Sequence, residues 1–119
     1  DDAIFQKGDQ LVEAASSNLF AVINDTLITP PIIGIVPGIT RSIVLDLAKK
    51  LHIPTAIRPI YLHDLPMTSE MFLTGSIKQL KPIIEIKNLY QRDHTGPIWN
   101  SLYHAYQNHI TTKITKPEY

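Results

Sequence analysis

The order of the apolar segments is the feature that most constrains how this 119-residue chain can fold. The first third holds four short apolar runs, separated by turn residues at Lys7-Gly8-Asp9, Ser16-Ser17-Asn18 and Asn24-Asp25. Short runs of this kind predict strands, and Asn24-Asp25 between two of them predicts a hairpin turn. The four predicted strands read AIFQ, QLVEAAS, NLFAVIN and TLITP. Strands therefore come before helices, which predicts an α+β domain rather than a doubly wound parallel sheet.

Two amphipathic segments predict the helices. The first runs from about Thr40 to Leu51, and the second opens at Gly96-Pro97, where proline suits the first turn. The apolar face of the first helix consists of Ile43, Val44, Leu47, Ala48 and Leu51, and that of the second of Ile98, Leu102, Tyr106 and Ile110. Between them, PTAIRPIYL predicts an edge or short strand and HDLPMTSE a short helical turn or loop. MFLTGS and LKPIIEIKN predict two further strands.

Composition excludes several classes of protein. The chain is 44% hydrophobic and 18% charged, which is typical of a globular domain, and its length suits one domain. Eleven basic residues balance eleven acidic ones, so there is no large basic field to attract nucleic acid. The absence of cysteine excludes disulfides, thiolate metal ligands and a cysteine nucleophile. No apolar run approaches the roughly 18 residues of a membrane helix, so we expect a cytoplasmic domain that binds neither nucleic acid nor membrane.

The histidines and glycines do not predict a familiar catalytic or metal motif. The five histidines include no pair at helical i,i+4 spacing, and H-E-x-x-H is absent from the sequence. The serine in TGSIK lacks the second glycine of G-x-S-x-G. Neither G-x-G-x-x-G nor a P-loop motif occurs. We therefore expect no metal site, no serine hydrolase and no dinucleotide-binding domain.

Two turns are candidates for holding an anion. Gly38 precedes the first helix, where the N–H groups of Ile39 and Thr40 lie at the partly positive helix start. Thr74-Gly75-Ser76 ends a predicted strand and supplies two hydroxyls. The alternative for each is an ordinary helix cap or strand-end turn, which the local sequence alone favours. Glu13, among small apolar residues, is either a surface carboxylate or a partly buried acid that needs a cationic or protonated partner.

Six segments of the chain occur in the same order as in a known family. They are VEAASSNLF, LITPP, VPGITR, FLTGS, KPIIEI and GPIW. Together they resemble the C-terminal half of the class IV aminotransferases, the fold type IV enzymes that use pyridoxal 5′-phosphate. The resemblance covers nearly the whole chain from Asp1. It implies that residues 1–119 form one cofactor-binding α+β domain, with strands in a barrel-like sheet and two main helices.

The resemblance also assigns cofactor-binding roles to individual residues. Glu13 matches the glutamate that faces the pyridine nitrogen and keeps it protonated, so that the ring can absorb carbanion charge. Ile39 and Thr40, after Gly38, match the residues whose backbone N–H groups hold the cofactor phosphate. Ser76 matches a position, usually threonine, that donates a hydroxyl to the same phosphate.

The implied reaction exchanges an amino group between an amino acid and a 2-oxo acid. Ser76 and Ile77 match a backbone segment near the substrate carboxylate. The substrate is a D-amino acid or a branched-chain amino acid, and GPIWNSLYHAYQ is more similar to the D-amino acid branch. A lyase acting on aminodeoxychorismate and a non-catalytic binding module are the alternatives. The hydroxyl of Ser76 favours an aminotransferase over the lyase.

The catalytic lysine of the family falls before Asp1. We interpret the opening DDAIF, which has no Met, as the start of a piece of a longer protein. Lys7 cannot replace that lysine because it lies in a polar turn, from Gln6 to Asp9. The family's smaller N-terminal domain is also missing. We therefore expect the 119-residue chain to be inactive alone and the full-length protein to be a homodimer.

Overall fold

The computed structural model describes residues 4–13, 18–31, 38–75, 79–86 and 89–115. The elements, in chain order, are β1 (Ile4–Lys7), β2 (Gln10–Glu13), β3 (Asn18–Ile23), β4 (Thr26–Thr29), α1 (Ile39–Lys50), β5 (Thr55–Ile57), β6 (Ile60–Tyr61), a 3-10 helix (Leu62–Met67), β7 (Thr68–Gly75), β8 (Gln79–Ile83), β9 (Glu85–Ile86), β10 (Tyr90–Gln91) and α2 (Pro97–Thr115). The predicted α+β class is confirmed, and both predicted α-helices begin within one residue of their expected positions. None of the helices in these ranges combines the length and apolar character needed to cross a membrane.

A five-stranded sheet in the order β5-β4-β3-β7-β8 forms the centre of the fold. Its strands pair antiparallel, except that β4 and β5 run parallel and are connected through α1. The hairpin predicted between β3 and β4 is confirmed. Asn24 and Asp25 both adopt left-handed backbone angles, with φ of 52° and 59°, as a type I′ turn requires. Strand β5 lies at the edge of the sheet, as the flanking residues Pro54 and Pro59 predict.

The central sheet is covered on both faces. Every residue of β3 from Leu19 to Ile23 is buried, which is the pattern of a strand enclosed by two layers. Phe20 and Phe72 are cross-strand neighbours, and their rings stack with centroids 5.0 Å apart. They face the layer formed by α1 and α2, together with Val22, Leu27, Val44, Leu47, Ala48, Leu80, Leu102 and Tyr106. This stack fixes the helix-facing side of the sheet, where the candidate site lies.

One predicted core residue of α1 is not in the core. Leu51 is 42% exposed, because α1 ends at Lys50 and His52 turns the chain with a left-handed φ of 60°. The other predicted members of the α1 face pack against the helix-facing core, with Val44, Leu47 and Ala48 buried. The error arises because a periodic apolar pattern continued one residue beyond the end of the helix.

The opposite face of the central sheet packs against smaller elements. Strands β1, β2 and β6 form a three-stranded sheet, and β9 and β10 form a two-stranded one. They enclose a second core of Leu11, Leu19, Ala21, Ile23, Ile28, Ile60, Leu65, Met71, Leu73 and Tyr90. The strands in the described ranges form three open sheets rather than a closed barrel, so the barrel-like arrangement stays a prediction.

Candidate functional site

The start of α1 lies against one end of the helix-facing side of the central sheet. Asn18 of β3 and Thr74 of β7 are cross-strand partners. Each is two residues from Phe20 or Phe72, so both side chains belong to the same sheet face as the phenylalanine stack. The Oδ1 atom of Asn18 lies 3.2 Å from the position that a Cβ on Gly38 would occupy. We call the set of Asn18, Gly38, Ile39, Thr40 and Thr74 the α1 cradle.

Gly38 contributes space at this position rather than backbone freedom. Its φ is −92°, which any residue can adopt. A Cβ at this position would lie only 3.1 Å from the Cβ of Arg41 and 3.2 Å from the Asn18 Oδ1 atom. Glycine therefore allows the first turn of α1 to approach the sheet closely.

The backbone donors at the start of α1 are arranged to receive an anion. The N–H group of Ser42 donates to the Gly38 carbonyl at 2.8 Å, so the N–H groups of Ile39 and Thr40 precede the first intrahelical bond. Within the described helix, the first turn carries no acidic side chain. The side chain of Ile39 is 68% exposed, whereas that of Thr40 is buried. The N-terminal backbone donors and the helix dipole together favour a negatively charged group at this position.

Thr74 differs from other buried threonines of the central sheet. Its side chain is fully buried, and its Oγ1 atom has no hydrogen-bond partner among the described residues. The equally enclosed Thr29 donates to the Leu19 carbonyl at 2.7 Å, and Thr68 donates to the Asp64 carbonyl at 2.7 Å. An unsatisfied buried hydroxyl costs about 1–3 kcal/mol. The Thr74 Oγ1 atom is therefore a buried polar atom of the α1 cradle that lacks the hydrogen bond which Thr29 and Thr68 each make.

Arg41 ties the first turn of α1 to the end of β4. Its side chain is buried, and Nη2 donates to the Pro30 carbonyl at 3.1 Å. Its aliphatic carbons also lie against Gly38. The guanidinium thus holds the helix start beside the strand end, which fixes the direction of the backbone donors.

The start of α2 provides a direct contrast. The carboxylate of Glu70, on β7, accepts from the N–H groups of Ile98 and Trp99 at 3.1 and 2.7 Å. A Cβ on Gly96 would lie 2.1 Å from the Glu70 Cδ atom, so only glycine fits beside this carboxylate. The protein's own acid thus occupies the N-terminal donors of α2. Of the two α-helices, α1 is the one whose start is suited to an external anion.

Two described cavities lie away from the α1 cradle. One, of about 260 Å³, is bordered by Leu65, Glu85 and Arg92 among others. The other, of about 10 Å³, lies between Tyr90, Trp99 and Glu70 and has room for a single water molecule. Burial raises the pKa of the Tyr90 hydroxyl; the charge of Arg92 opposes this shift and that of Glu70 adds to it. Within the described ranges, no group of three histidine, aspartate or glutamate side chains is arranged to hold a metal ion.

The remaining predicted site residues are placed only in part. Glu13 ends β2 and pairs with Ile4 across the β1–β2 hairpin, but its side chain lies outside the described atoms. Ser76 and Ile77 lie outside the described residues. Their roles therefore stay predictions.

Sequence reasoning missed Asn18 and Arg41 as parts of the site. Both occur within the segments that carry the family resemblance, but no local pattern shows where their side chains reach. The strand register and the contact with Gly38 reveal Asn18, and the bond to Pro30 reveals Arg41. Both contacts connect distant parts of the chain and so leave no periodic signal.

Comparison with known proteins places the chain in a family. The family model described as amino-transferase class IV matches residues 1–86. A probable branched-chain-amino-acid aminotransferase of Aquifex aeolicus is 36% identical over 120 residues, which cover 98% of this chain and 39% of that protein. A D-alanine aminotransferase of Listeria monocytogenes is 29% identical over 120 residues, covering 99% of this chain and 42% of that protein.

Solved structures agree with these matches. The branched-chain amino acid aminotransferase of Thermobaculum terrenum, in its PLP form, is similar with a TM-score of 0.81 and 30% sequence identity. The similarity covers 92% of this chain and 37% of that one. The chain thus spans about two fifths of the length of these two relatives from Aquifex aeolicus and Listeria monocytogenes. Because the family model covers well over half of its residues, the chain belongs to the class IV aminotransferases.

Proposed function

We propose that this chain is the C-terminal, cofactor-binding part of a pyridoxal-phosphate-dependent aminotransferase. The parent enzyme exchanges an amino group between an amino acid and a 2-oxo acid, in the cytoplasm. Family membership supports the reaction class, and relatives named for branched-chain amino acids and for D-alanine support the two substrate classes. The observation that carries the proposal is the α1 cradle, in which a helix start without an acid in its described first turn lies directly against the sheet.

The residues of the α1 cradle fit a phosphate group. Gly38 allows the sheet and the helix start to approach, and the N–H groups of Ile39 and Thr40 supply two donors before the first intrahelical bond. These donors are held in place by α1, so binding requires little ordering of the backbone. The hydroxyl of Ser76 is the proposed third donor. At the start of α2 the Glu70 carboxylate already accepts from the N-terminal donors, which supports α1 rather than α2 as the phosphate site.

The remaining roles concern the reacting end of the cofactor. When bound, pyridoxal phosphate supplies an electron sink for the charge that develops on the amino-acid carbon. Glu13 would accept a hydrogen bond from the pyridine N–H and so keep the proton on that nitrogen. The backbone at Ser76 and Ile77 would lie near the substrate carboxylate and orient the substrate.

Catalysis requires a residue that this chain does not supply. An aminotransferase needs a lysine to hold the cofactor aldehyde and to carry the proton between carbon atoms. We propose that this lysine and the smaller N-terminal domain belong to the segment that precedes Asp1 in the parent protein. Lys7 ends β1 and pairs with Gln10 at the hairpin, which suits a structural role. The chain alone is then inactive. The parent is a homodimer, and each of its subunits has two domains. The C-terminal domain of each subunit includes the barrel-like sheet of the family.

The parent enzyme provides the test. We expect the full-length protein to be yellow, to lose its visible absorbance on borohydride reduction, and to lose the colour when its upstream lysine is changed. Assays with L-leucine and with D-alanine, each against a 2-oxo acid, should show exchange with one of them, while the 119-residue chain shows none. Pyruvate release from aminodeoxychorismate without exchange would contradict the aminotransferase proposal, as would a parent without such a lysine.

A further inference from the structure

We propose that Thr74 is a further phosphate-binding residue, whose hydroxyl donates a hydrogen bond to the anion held at the start of α1. The inference rests on the proposed function, because it adds a side-chain donor to the same α1 cradle. The family resemblance assigns a phosphate-binding hydroxyl to Ser76 alone, and the local sequence offers the Thr74-Gly75-Ser76 turn only as a candidate separate from the start of α1.

The first support is the burial of a hydroxyl that has no partner. Thr74 is 0% exposed, as is Thr68, and Thr29 is 1% exposed. The hydroxyls of Thr29 and Thr68 each donate to a backbone carbonyl, whereas the Thr74 hydroxyl meets no acceptor among the described residues. Buried polar atoms in folded proteins are nearly always paired, so such an atom indicates a missing partner.

The second support is the position of this hydroxyl on the sheet. Thr74 lies directly opposite Asn18 in the β3–β7 ladder, and opposed side chains of antiparallel strands have Cβ atoms about 5 Å apart. The carboxamide of Asn18 in turn reaches the start of α1, within 3.2 Å of a Cβ position on Gly38. The Thr74 hydroxyl is therefore a cross-strand neighbour of the Asn18 side chain, which itself lies beside the start of α1. Both side chains are on the same face of the sheet.

The third support is the charge of the surroundings, which selects an anion as the partner. The neighbouring groups are the N–H donors of Ile39 and Thr40, at the positive end of the helix dipole, with the buried guanidinium of Arg41 in the same turn. A cation would be repelled there. A phosphate has three peripheral oxygens that accept hydrogen bonds, so it can satisfy the backbone donors and the hydroxyl together.

The experiment measures phosphate binding and stability in the same variants. The ¹⁵N-labelled 119-residue chain is titrated with inorganic phosphate, with pyridoxamine 5′-phosphate and with pyridoxamine, and the amide signals of Ile39 and Thr40 are followed. Thr74→Val removes the hydroxyl but keeps the shape. We expect it to raise the dissociation constant for both phosphates roughly tenfold or more, as is typical of a lost bond to a charged group. Pyridoxamine, which lacks the phosphate, should not shift these amide signals.

Stability distinguishes a ligand-binding hydroxyl from a structural one. Thr74→Val should leave the urea midpoint unchanged or raise it, because it removes an unsatisfied buried hydroxyl. The matched control Thr68→Val should lower the midpoint and leave phosphate binding unchanged, because that hydroxyl already has a partner. Thr74→Ser, which keeps a hydroxyl, should retain phosphate binding.

Each contrary result has a separate meaning. If wild-type chain and Thr74→Val bind phosphate equally, the role of Thr74 is overturned while the proposed phosphate site stands. If Thr74→Val lowers the urea midpoint as Thr68→Val does, the hydroxyl has a partner in the free protein, a bound water included, and the inference fails. If phosphate shifts neither Ile39 nor Thr40 in the wild-type chain, the phosphate site and the role of Thr74 fail together; the assay of the full-length enzyme still decides the reaction class.

Discussion

Gly96 shows how a single hydrogen atom can decide the packing at one position. Its Cα faces the Glu70 side chain so closely that a methyl group would lie 2.1 Å from Cδ and 2.2 Å from Cγ. The carboxylate cannot move away freely, because both of its oxygens accept hydrogen bonds from the first turn of α2. The Glu70 side chain therefore keeps its position and its hydrogen bonds only because residue 96 has no side chain.

We expect Gly96→Ala to lower the free energy of unfolding by about 2–4 kcal/mol, measured by urea denaturation. The added methyl displaces a buried carboxylate from its two donors, so that steric strain and lost hydrogen bonds add together. Gly8→Ala is the matched control. Gly8 has a left-handed φ of 65° and open space around its Cα, so alanine there should cost only about 1 kcal/mol. Equal losses in the two variants would contradict the clash.

At the scale of elements, local patterns predicted much of α1 and the β3–β4 hairpin. The apolar spacing of α1 and the Asn24-Asp25 turn depend on neighbours in sequence, and both are confirmed. The parallel pairing of β4 with β5 was not predicted. The opposition of Asn18 and Thr74 was missed for the same reason, because register between β3 and β7 is set by packing over more than fifty residues of sequence.

Placing an acid at the start of α1 should separate helix stability from anion binding. We expect Ile39→Asp to raise the free energy of unfolding by about 0.3–1 kcal/mol, because a carboxylate interacts favourably with the helix dipole. The same carboxylate should weaken phosphate binding at least tenfold by repulsion. Ile39 is 68% exposed, so little packing is lost. Urea denaturation and the phosphate titration measure the two effects.

The neutral variant Ile39→Asn is the control for that change. It keeps a similar shape and a capping oxygen but no charge, so it should bind phosphate more tightly than Ile39→Asp. Equal phosphate affinity in the two variants would show that the anion does not bind at the start of α1.

At the scale of the whole molecule, buried charged groups lie on both sides of the central sheet. Arg41 and Glu70 hold the starts of α1 and α2 on the helix-facing side, and Asp64 is buried beside the core of the opposite layer. Asp64, in the 3-10 helix, accepts from the Tyr61 N–H at 2.8 Å and from Arg58 at 3.0 Å. This network makes the stability of the molecule dependent on pH.

Burial opposes ionisation of Asp64, but the hydrogen bonds from Arg58 and the Tyr61 N–H, with the charge of Arg58, outweigh it and hold the pKa below its usual value of 3.8. The unfolded chain therefore binds this proton more readily than the folded protein. The stabilisation is complete well above pH 4 and is lost as the pH falls through the lowered pKa. We expect Asp64→Asn to be less stable than wild type at pH 7 and the difference to shrink toward pH 2.5.

Urea denaturation across that pH range measures the effect. The control is Asp46→Asn, which removes an exposed carboxylate of α1 and leaves the Asp64 network intact. A constant difference between wild type and Asp64→Asn from pH 7 to pH 2.5 would contradict the lowered pKa.

The close fit of Gly96 against Glu70 also has a consequence for how this sequence can diverge. An alanine at position 96 is accepted only after the side chain at position 70 has been shortened, because the reverse order passes through a clash. Once Glu70 is lost, the N-terminal donors of α2 lose their carboxylate, and a new acid close to that helix start becomes favourable. Substitutions at the two positions are therefore ordered: position 70 changes first, which frees position 96 to vary and favours a new acid near the start of α2.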